Sequence, residues 1–178
     1  MKPFVIPSRI VFQDKFVQVL LEDVQTEEGS IIRDYSIIRK RDVVMIVATN
    51  TSGQYAIIEE YKYGAQSKLW TFPAGGLKKN ENGIDAAKRE LAEETGCMGG
   101  IYTYLGKVFD YPSKDRHTVH VVRANNVGCV TKQTLDSSES IRLKFIDEED
   151  LIRLIARGEF GVTSAIAAYT LSKCSSLI

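Results

Sequence analysis

Residues 75–97 read GGLKKNENGIDAAKRELAEETGC, and the reading of this stretch decides the rest of the chain. Its middle, Ile84 to Leu91, is rich in strong helix formers. Asn82 stands where an N-cap would accept the first free amides, and Gly96 where a left-handed residue would end the helix. Ile84, Ala87 and Leu91 fall along one apolar stripe. Glu90, Glu93 and Glu94 are spaced i, i+3 and i+4, so their carboxylates converge beside that stripe, on a face predicted to be the wetter one. Like charges so close destabilise a helix unless a cation neutralises them. Clustered carboxylates are hard oxygen donors, and Mg2+ or Mn2+ is the cation that suits them. The helix is predicted to pack by one face and bind by the next.

The composition limits what surrounds this helix. A chain of 178 residues fits one domain, or one domain with an appended sub-domain, and can bury a core without staples. Lys plus Arg equals Asp plus Glu at 23 each, so no net field draws nucleic acid or an anionic membrane. The longest basic run is Arg39-Lys40-Arg41, too short for a nucleic-acid partner. No apolar run approaches the ~20 residues that cross a bilayer, and the start has no apolar stretch long enough for a signal peptide. A cytoplasmic protein is expected. Cys97, Cys129 and Cys174 form no CxxC or Cys/His cluster, so neither a zinc site nor a disulfide framework is expected, and the thiols read as reduced.

Along the chain, Val17, Val19 and Leu21 alternate as in a half-buried strand, and Ile31 to Arg39 returns as a second. Residues 1–41 thus read as an N-terminal antiparallel β meander, and residues 42–178 as the main domain. Val43 to Thr49 is almost wholly apolar, as expected of a strand covered on both faces. Gln54 to Tyr61 follows as a strand, then a loop dense in aromatics to Pro73. Beyond the helix, Ile101–Phe109, Thr118–Ala124 and Ile141–Ile146 read as strands, with residues 110–117 a polar loop. Asp147 reads as the N-cap of a helix ending near Gly158, and Val162 to Lys173 as a last helix. The irregular alternation predicts a mixed sheet sandwiched between helices, not a doubly wound parallel sheet.

The opening stretch resembles the Nudix box of the Nudix hydrolases. Gly75, five residues, Glu81, seven residues, then Arg89-Glu90-Leu91-Ala92-Glu93-Glu94-Thr95-Gly96 fill every polar and glycine position of that pattern. The one departure is Cys97, where the family usually has a bulky aliphatic residue. The resemblance implies an α/β fold, the Nudix-type α/β/α sandwich with a mixed sheet, here preceded by the small meander. It implies an enzyme that hydrolyses the diphosphate of a nucleoside diphosphate linked to another group. Glu90 and Glu94 would be metal ligands, Glu93 would ligate or act through water, and the Ala74 carbonyl would complete the shell. Arg89 would orient the glutamates by charge-assisted hydrogen bonds, with Glu81 bracing the loop.

The flanking segments resemble the ADP-ribose and nucleotide-sugar pyrophosphatase branch. Glu59-Glu60-Tyr61-Lys62-Tyr63 resembles its strand ending in Gln-Tyr-Arg, and Trp70-Thr71-Phe72-Pro73-Ala74-Gly75 its Trp-Glu-x-Pro-Ala-Gly. Pro112, 15 residues past the box, falls near that branch's marker proline. The implied substrate is ADP-ribose or a nucleotide sugar, cut to two monophosphates. The alternatives are a nucleoside triphosphate or dinucleoside polyphosphate, or a non-catalytic module reading nucleotide or RNA. Substrate contacts are expected from Lys62, Trp70, Phe72 and Pro112. Lys62 reads equally as a solvated strand-end charge, Trp70 and Phe72 as core aromatics, and Pro112 as a turn residue. The general base is sought first at Glu139, next at Asp136, with Glu93 as the alternative within the box. The branch often dimerises through its N-terminal meander, so a homodimer is expected.

Overall fold

A computed structural model describes residues 5–135 and 140–175. In chain order its strands are β1 (Val5–Gln13), β2 (Val17–Gln25), β3 (Ile31–Lys40), β4 (Val43–Asn50), β5 (Tyr55–Lys62), β6 (Ser67–Thr71) and β7 (Ala74–Gly76). Helix α1 (Gly83–Thr95) follows, then β8 (Cys97–Met98), β9 (Ile101–Val108), β10 (Asp115–Arg116), β11 (Val119–Cys129) and β12 (Arg142–Ile146). Helices α2 (Glu148–Ala156) and α3 (Thr163–Cys174) close the chain. Contacts divide it into an N-terminal unit, up to Asp42 with Phe109–Thr118, and a second unit of Val43–Val108 with Val119 onward.

In the N-terminal unit β1, β2 and β3 pair as an antiparallel meander, and β10 adds in parallel along β3. The β1–β2 turn is set by Asp14, whose carboxylate accepts from the amides of Phe16 and Val17, both at 2.7 Å. The phase of β2 is opposite to the alternation expected from Val17, Val19 and Leu21. Leu20 and Glu22 are the buried residues, and the three apolar ones are only half-buried. The reason is a charge met from far along the chain. Arg116 on β10 donates to both oxygens of Glu22, at 2.8 and 2.7 Å, and this holds the carboxylate below the usual range. A strand position that accepts a paired Glu looks polar in sequence but lies inside.

The second unit is a mixed sheet between helices. Strand β4 pairs in parallel with β11 and antiparallel with β5 and β7, while β9 and β8 pair antiparallel with β11. Strand alternation splits β4 between two cores. Val44, Ile46 and Ala48 pack with Ala86, Ala87 and Leu91 of α1. Met45 and Val47 pack on the other face with Leu151 of α2 and Ala165 and Ala168 of α3. Burying a side chain such as Leu91, which has no exposed surface, stabilises by about 2 kcal/mol, so the sheet is gripped from both sides. The expected doubly covered strand and sandwich are both present.

Three local readings differ from the sequence expectation. Asp147 occupies the N-cap position of α2, but its side chain makes no capping hydrogen bond. The segment 110–117 is not loop throughout, because Asp115 and Arg116 form β10. The expectation of reduced thiols fails at one pair. The antiparallel register of β8 and β11 sets Cys129 directly opposite Cys97, and the two are joined by a disulfide; Cys174 is free and exposed. A separation of 32 residues gives no sign of such pairing before the register is known. Among the described residues no helix is long and apolar enough to cross a membrane.

Candidate functional site

The site is built by α1, strand β7 and the loop between them. Asn82 caps the helix as expected, its side chain accepting from Ile84 N and Asp85 N, at 3.0 and 2.9 Å. Gly96 closes it at φ 69°, with its amide donating to the Ala92 carbonyl. Between these caps Arg89 is the organiser. Its Nε and Nη2 donate to the two oxygens of Glu81 at 2.9 and 2.8 Å, and Nη2 also to the Gly76 carbonyl at 3.0 Å. Nη1 donates to Glu90 at 2.6 Å and Glu93 at 3.0 Å. Arg89 therefore ties the loop to the helix, and its two bonds to Glu81 hold that carboxyl down to about 2.

Strand β7 comes very close to the helix. A Cβ on Gly75 would lie 2.0 Å from Glu90 Cδ, so only glycine leaves room for that carboxylate. Replacing Gly75 with Ala is expected to push Glu90 away while sparing the core. Activity in Mg2+ should fall roughly tenfold to a hundredfold, with the unfolding midpoint almost unchanged, as turnover and thermal melts would read.

Glu94 departs from the wet face expected of it. It is only 7% exposed, and its Oε2 accepts from the Ala74 amide at 2.9 Å. Burial is the main cause that pushes its carboxyl up to about 9, with the charges of Glu60 and Glu90 adding to it and the Ala74 amide and Lys62 opposing. Burial likewise raises Glu90, against the pull of Arg89. Two desolvated carboxyls thus share a place where ionising both is costly. Among the described residues, no three His, Cys, Asp or Glu side chains are grouped at metal-holding distances. Glu93 is the outlier, drawn to Arg89 with its side chain 42% exposed. Oxygen donors, desolvation and mutual repulsion nevertheless fit a hard divalent cation. Mg2+ needs only one or two carboxylates when water and substrate phosphate complete its shell.

The remaining expected residues divide by strand face. On β5, Ala56 packs on the α1 side, and alternation puts Glu60 and Lys62 on that side too. Lys62 pairs with Glu60, and both act on Glu94 through charge. Trp70 and Phe72 belong to the core on the opposite face of the sheet from α1. Phe72 has no exposed surface and packs against Tyr55 and Phe160, so the structure assigns it to the core and corrects its expected substrate contact. Trp70 is 9% exposed and lies beneath the Arg142 guanidinium, 4.9 Å away, which leaves little ring for a ligand. Pro112 lines a cavity of about 400 Å³ within the N-terminal unit, with Phe109, Asp115 and His117. Glu139 and Asp136 lie outside the described residues. Ala74 meets the site through its amide, in its bond to Glu94.

Several participants escaped the sequence reading. Glu60 could have been found from its i, i+2 relation to Lys62 on one strand face. The Gly76 carbonyl carries no side-chain signal at all. Residues past β11 also reach the helix: Gln133 Nε2 donates to the Glu94 carbonyl at 2.6 Å, and Thr134 N to the Glu93 carbonyl at 2.8 Å.

The NUDIX domain model matches residues 39–166. An ADP-ribose pyrophosphatase of Bacillus subtilis (strain 168) is 26% identical over 162 residues, covering 90% of this chain and 86% of its own length. The ADP compounds hydrolase NudE of Escherichia coli (strain K12) is 29% identical over 128 residues, 71% of this chain and 68% of that one. A crystal structure of an ADP compounds hydrolase shares the fold at TM-score 0.81 and 23% identity, over 97% of this chain and 93% of the other.

Proposed function

The chain belongs to the Nudix family of hydrolases, and on that premise we propose that it cleaves the diphosphate of ADP-ribose or a nucleotide sugar into two monophosphates, with Mg2+ as its metal. The observation that carries this reading is the buried Glu94 beside Glu90, with Lys62 within electrostatic reach. Mg2+ bound there would neutralise the diphosphate, polarise phosphorus and lower the pKa of a bound water. Glu90 and Glu94 would hold the ion; Arg89 fixes Glu90 and Glu93 by the bonds described above. Lys62 can leave Glu60 for a phosphate oxygen, which it would meet as a point charge and not as a bidentate fork. For the proton of the attacking water we propose Glu139, with Glu93 as the acid within the box that could replace it. Similarity to the Bacillus subtilis ADP-ribose pyrophosphatase over nearly the whole chain supports the substrate class.

Purified protein incubated with Mg2+ and a panel of ADP-ribose, nucleotide sugars, nucleoside triphosphates and dinucleoside polyphosphates tests the reading. Two monophosphates from ADP-ribose or a nucleotide sugar are expected. Pyrophosphate or phosphate release from a triphosphate alone would move the substrate class, and no product from any would sink the proposal. Lys62→Ala is expected to raise KM roughly tenfold with a smaller change in kcat, read by steady-state kinetics.

We further propose a homodimer formed through the N-terminal unit. Ile10, Phe12, Phe16, Ile31 and Ile32 are each 45% or more exposed there, which is apolar surface that a second copy would cover. Light scattering of the purified chain reads this directly, a monomer mass speaking against it. A cytoplasmic setting, expected from the sequence, stays part of the proposal.

A further inference from the structure

The residue at which this chain departs from the family pattern is also the one that forms a covalent cross-link. Cys97 follows the helix-ending Gly96, is fully buried, and is bonded to Cys129, an exposed residue at the end of β11. From Cys129 the chain folds straight back over the C-terminal end of α1. The amides of Val130 and Thr131 donate to the Gly96 carbonyl at 3.1 and 3.2 Å, and that of Thr134 to the Glu93 carbonyl. Gln133 Nε2 bridges the Glu94 and Ile141 carbonyls, at 2.6 and 3.4 Å. The approach is close enough that a Cβ on Gly96 would lie 2.1 Å from the Thr131 oxygen. This strap satisfies carbonyls that the last turn of a helix leaves without partners. That turn carries Glu93 and Glu94, and the disulfide pins the strap where it begins.

We infer that Cys97–Cys129 is a thiol–disulfide exchange site, taking a small thiol or dithiol as reductant, which sets how firmly the Glu93–Glu94 turn is held and thereby tunes hydrolysis. The last clause rests on the function proposed above. A reductant thiolate attacks the sulfur of exposed Cys129; the S–S bond breaks, and the Cys97 thiolate leaves and takes up a proton. A second thiol attacks the reductant sulfur of the mixed disulfide, releasing the oxidised reductant and the Cys129 thiol. Two electrons and two protons enter the protein, and a small disulfide as oxidant reverses the step. Burial protects the Cys97 sulfur from direct attack, so Cys129 is the entry point.

The test uses the full chain carrying Cys174→Ser, which removes the free exposed thiol. Protein oxidised with glutathione disulfide is compared with protein reduced by dithiothreitol. On reduction the intact mass is expected to gain about 2 Da. Amide exchange at Val130, Thr131 and Thr134 should speed roughly tenfold, and hydrolysis should slow at least about threefold, both returning on reoxidation. Adding Cys129→Ser should give the reduced behaviour under all conditions. Absence of the mass gain, or exchange rates unchanged after a confirmed gain, would overturn the site. Redox-dependent amide exchange with unchanged hydrolysis in an active enzyme would overturn the tuning. Redox-dependent exchange in a chain that hydrolyses nothing in either state supports the exchange site and overturns the proposed function instead.

Discussion

Glu94→Gln is expected to remove most metal-dependent hydrolysis while making the metal-free protein more stable. The two effects come from one cause. Burial pushes the Glu94 carboxyl up to about 9 from an ordinary value of 4.5. Without a cation, the folded protein therefore keeps a proton on Glu94 at neutral pH that the unfolded chain releases. A folded pKa raised above the unfolded one contributes stability fully below pH 4.5 and loses it as pH rises toward 9. The loss approaches about 1.4 kcal/mol per pH unit within that window, or about 3 kcal/mol by pH 7. Gln does not titrate, and its carbonyl oxygen can still accept from the Ala74 amide. In chelator at pH 7 the variant should therefore gain about 3 kcal/mol in denaturant unfolding, and the slope of stability against pH over that window should flatten. Turnover in Mg2+ should fall by on the order of 10²-fold or more, because a neutral amide is a poor ligand for a hard cation. A variant less stable than the parent at pH 7 would mean that Glu94 is already paired and charged without a metal.

Arg89→Ala is expected to be the most destabilising single change in the box. Arg89 serves Glu81, Glu90, Glu93 and the Gly76 carbonyl at once, with its side chain only 19% exposed. Truncation leaves three carboxylates facing one another without their common cation. Removing one partner of a buried ionic group costs on the order of 3–5 kcal/mol. Added Mg2+ should recover part of this, because an ion that binds the folded state neutralises the same carboxylates. Arg89→Lys should fall between, keeping a charge but losing the fork that reaches the loop and the helix together. Urea unfolding with and without Mg2+ reads all three expectations. Turnover of the Ala variant should remain about a hundredfold low even at saturating metal, because orientation of Glu90 is lost as well as charge.

How much of this was legible beforehand follows from the range of each interaction. Asn82 and Gly96 cap α1 as read, because capping is decided within a few residues. The two cores on either side of β4 were legible too, since an unbroken apolar strand has few other uses. What failed depended on partners distant in the chain. Glu22 looked solvent-facing until Arg116 supplied its counter-charge from 94 residues away. Glu94 looked wet because helix periodicity gives the angle around the axis but not what strand β7 lays across it at Ala74. Phe72 looked available because the motif shows its neighbours and not its strand face, and that face is the one opposite α1. Cys97 reads as a reduced thiol until the β8–β11 register brings Cys129 opposite.

On the proposed reading, Glu90 and Glu94 form a divalent-metal site whose metal-free state is held by a proton on Glu94. The most direct test is Mg2+ titration of metal-free protein near pH 7, by calorimetry in buffers of different ionisation enthalpy. Saturable binding with release of close to one proton per chain is the predicted result, with affinity rising as pH approaches 9 and no proton released by Glu94→Gln. Absence of binding, or binding without proton release, would contradict the account.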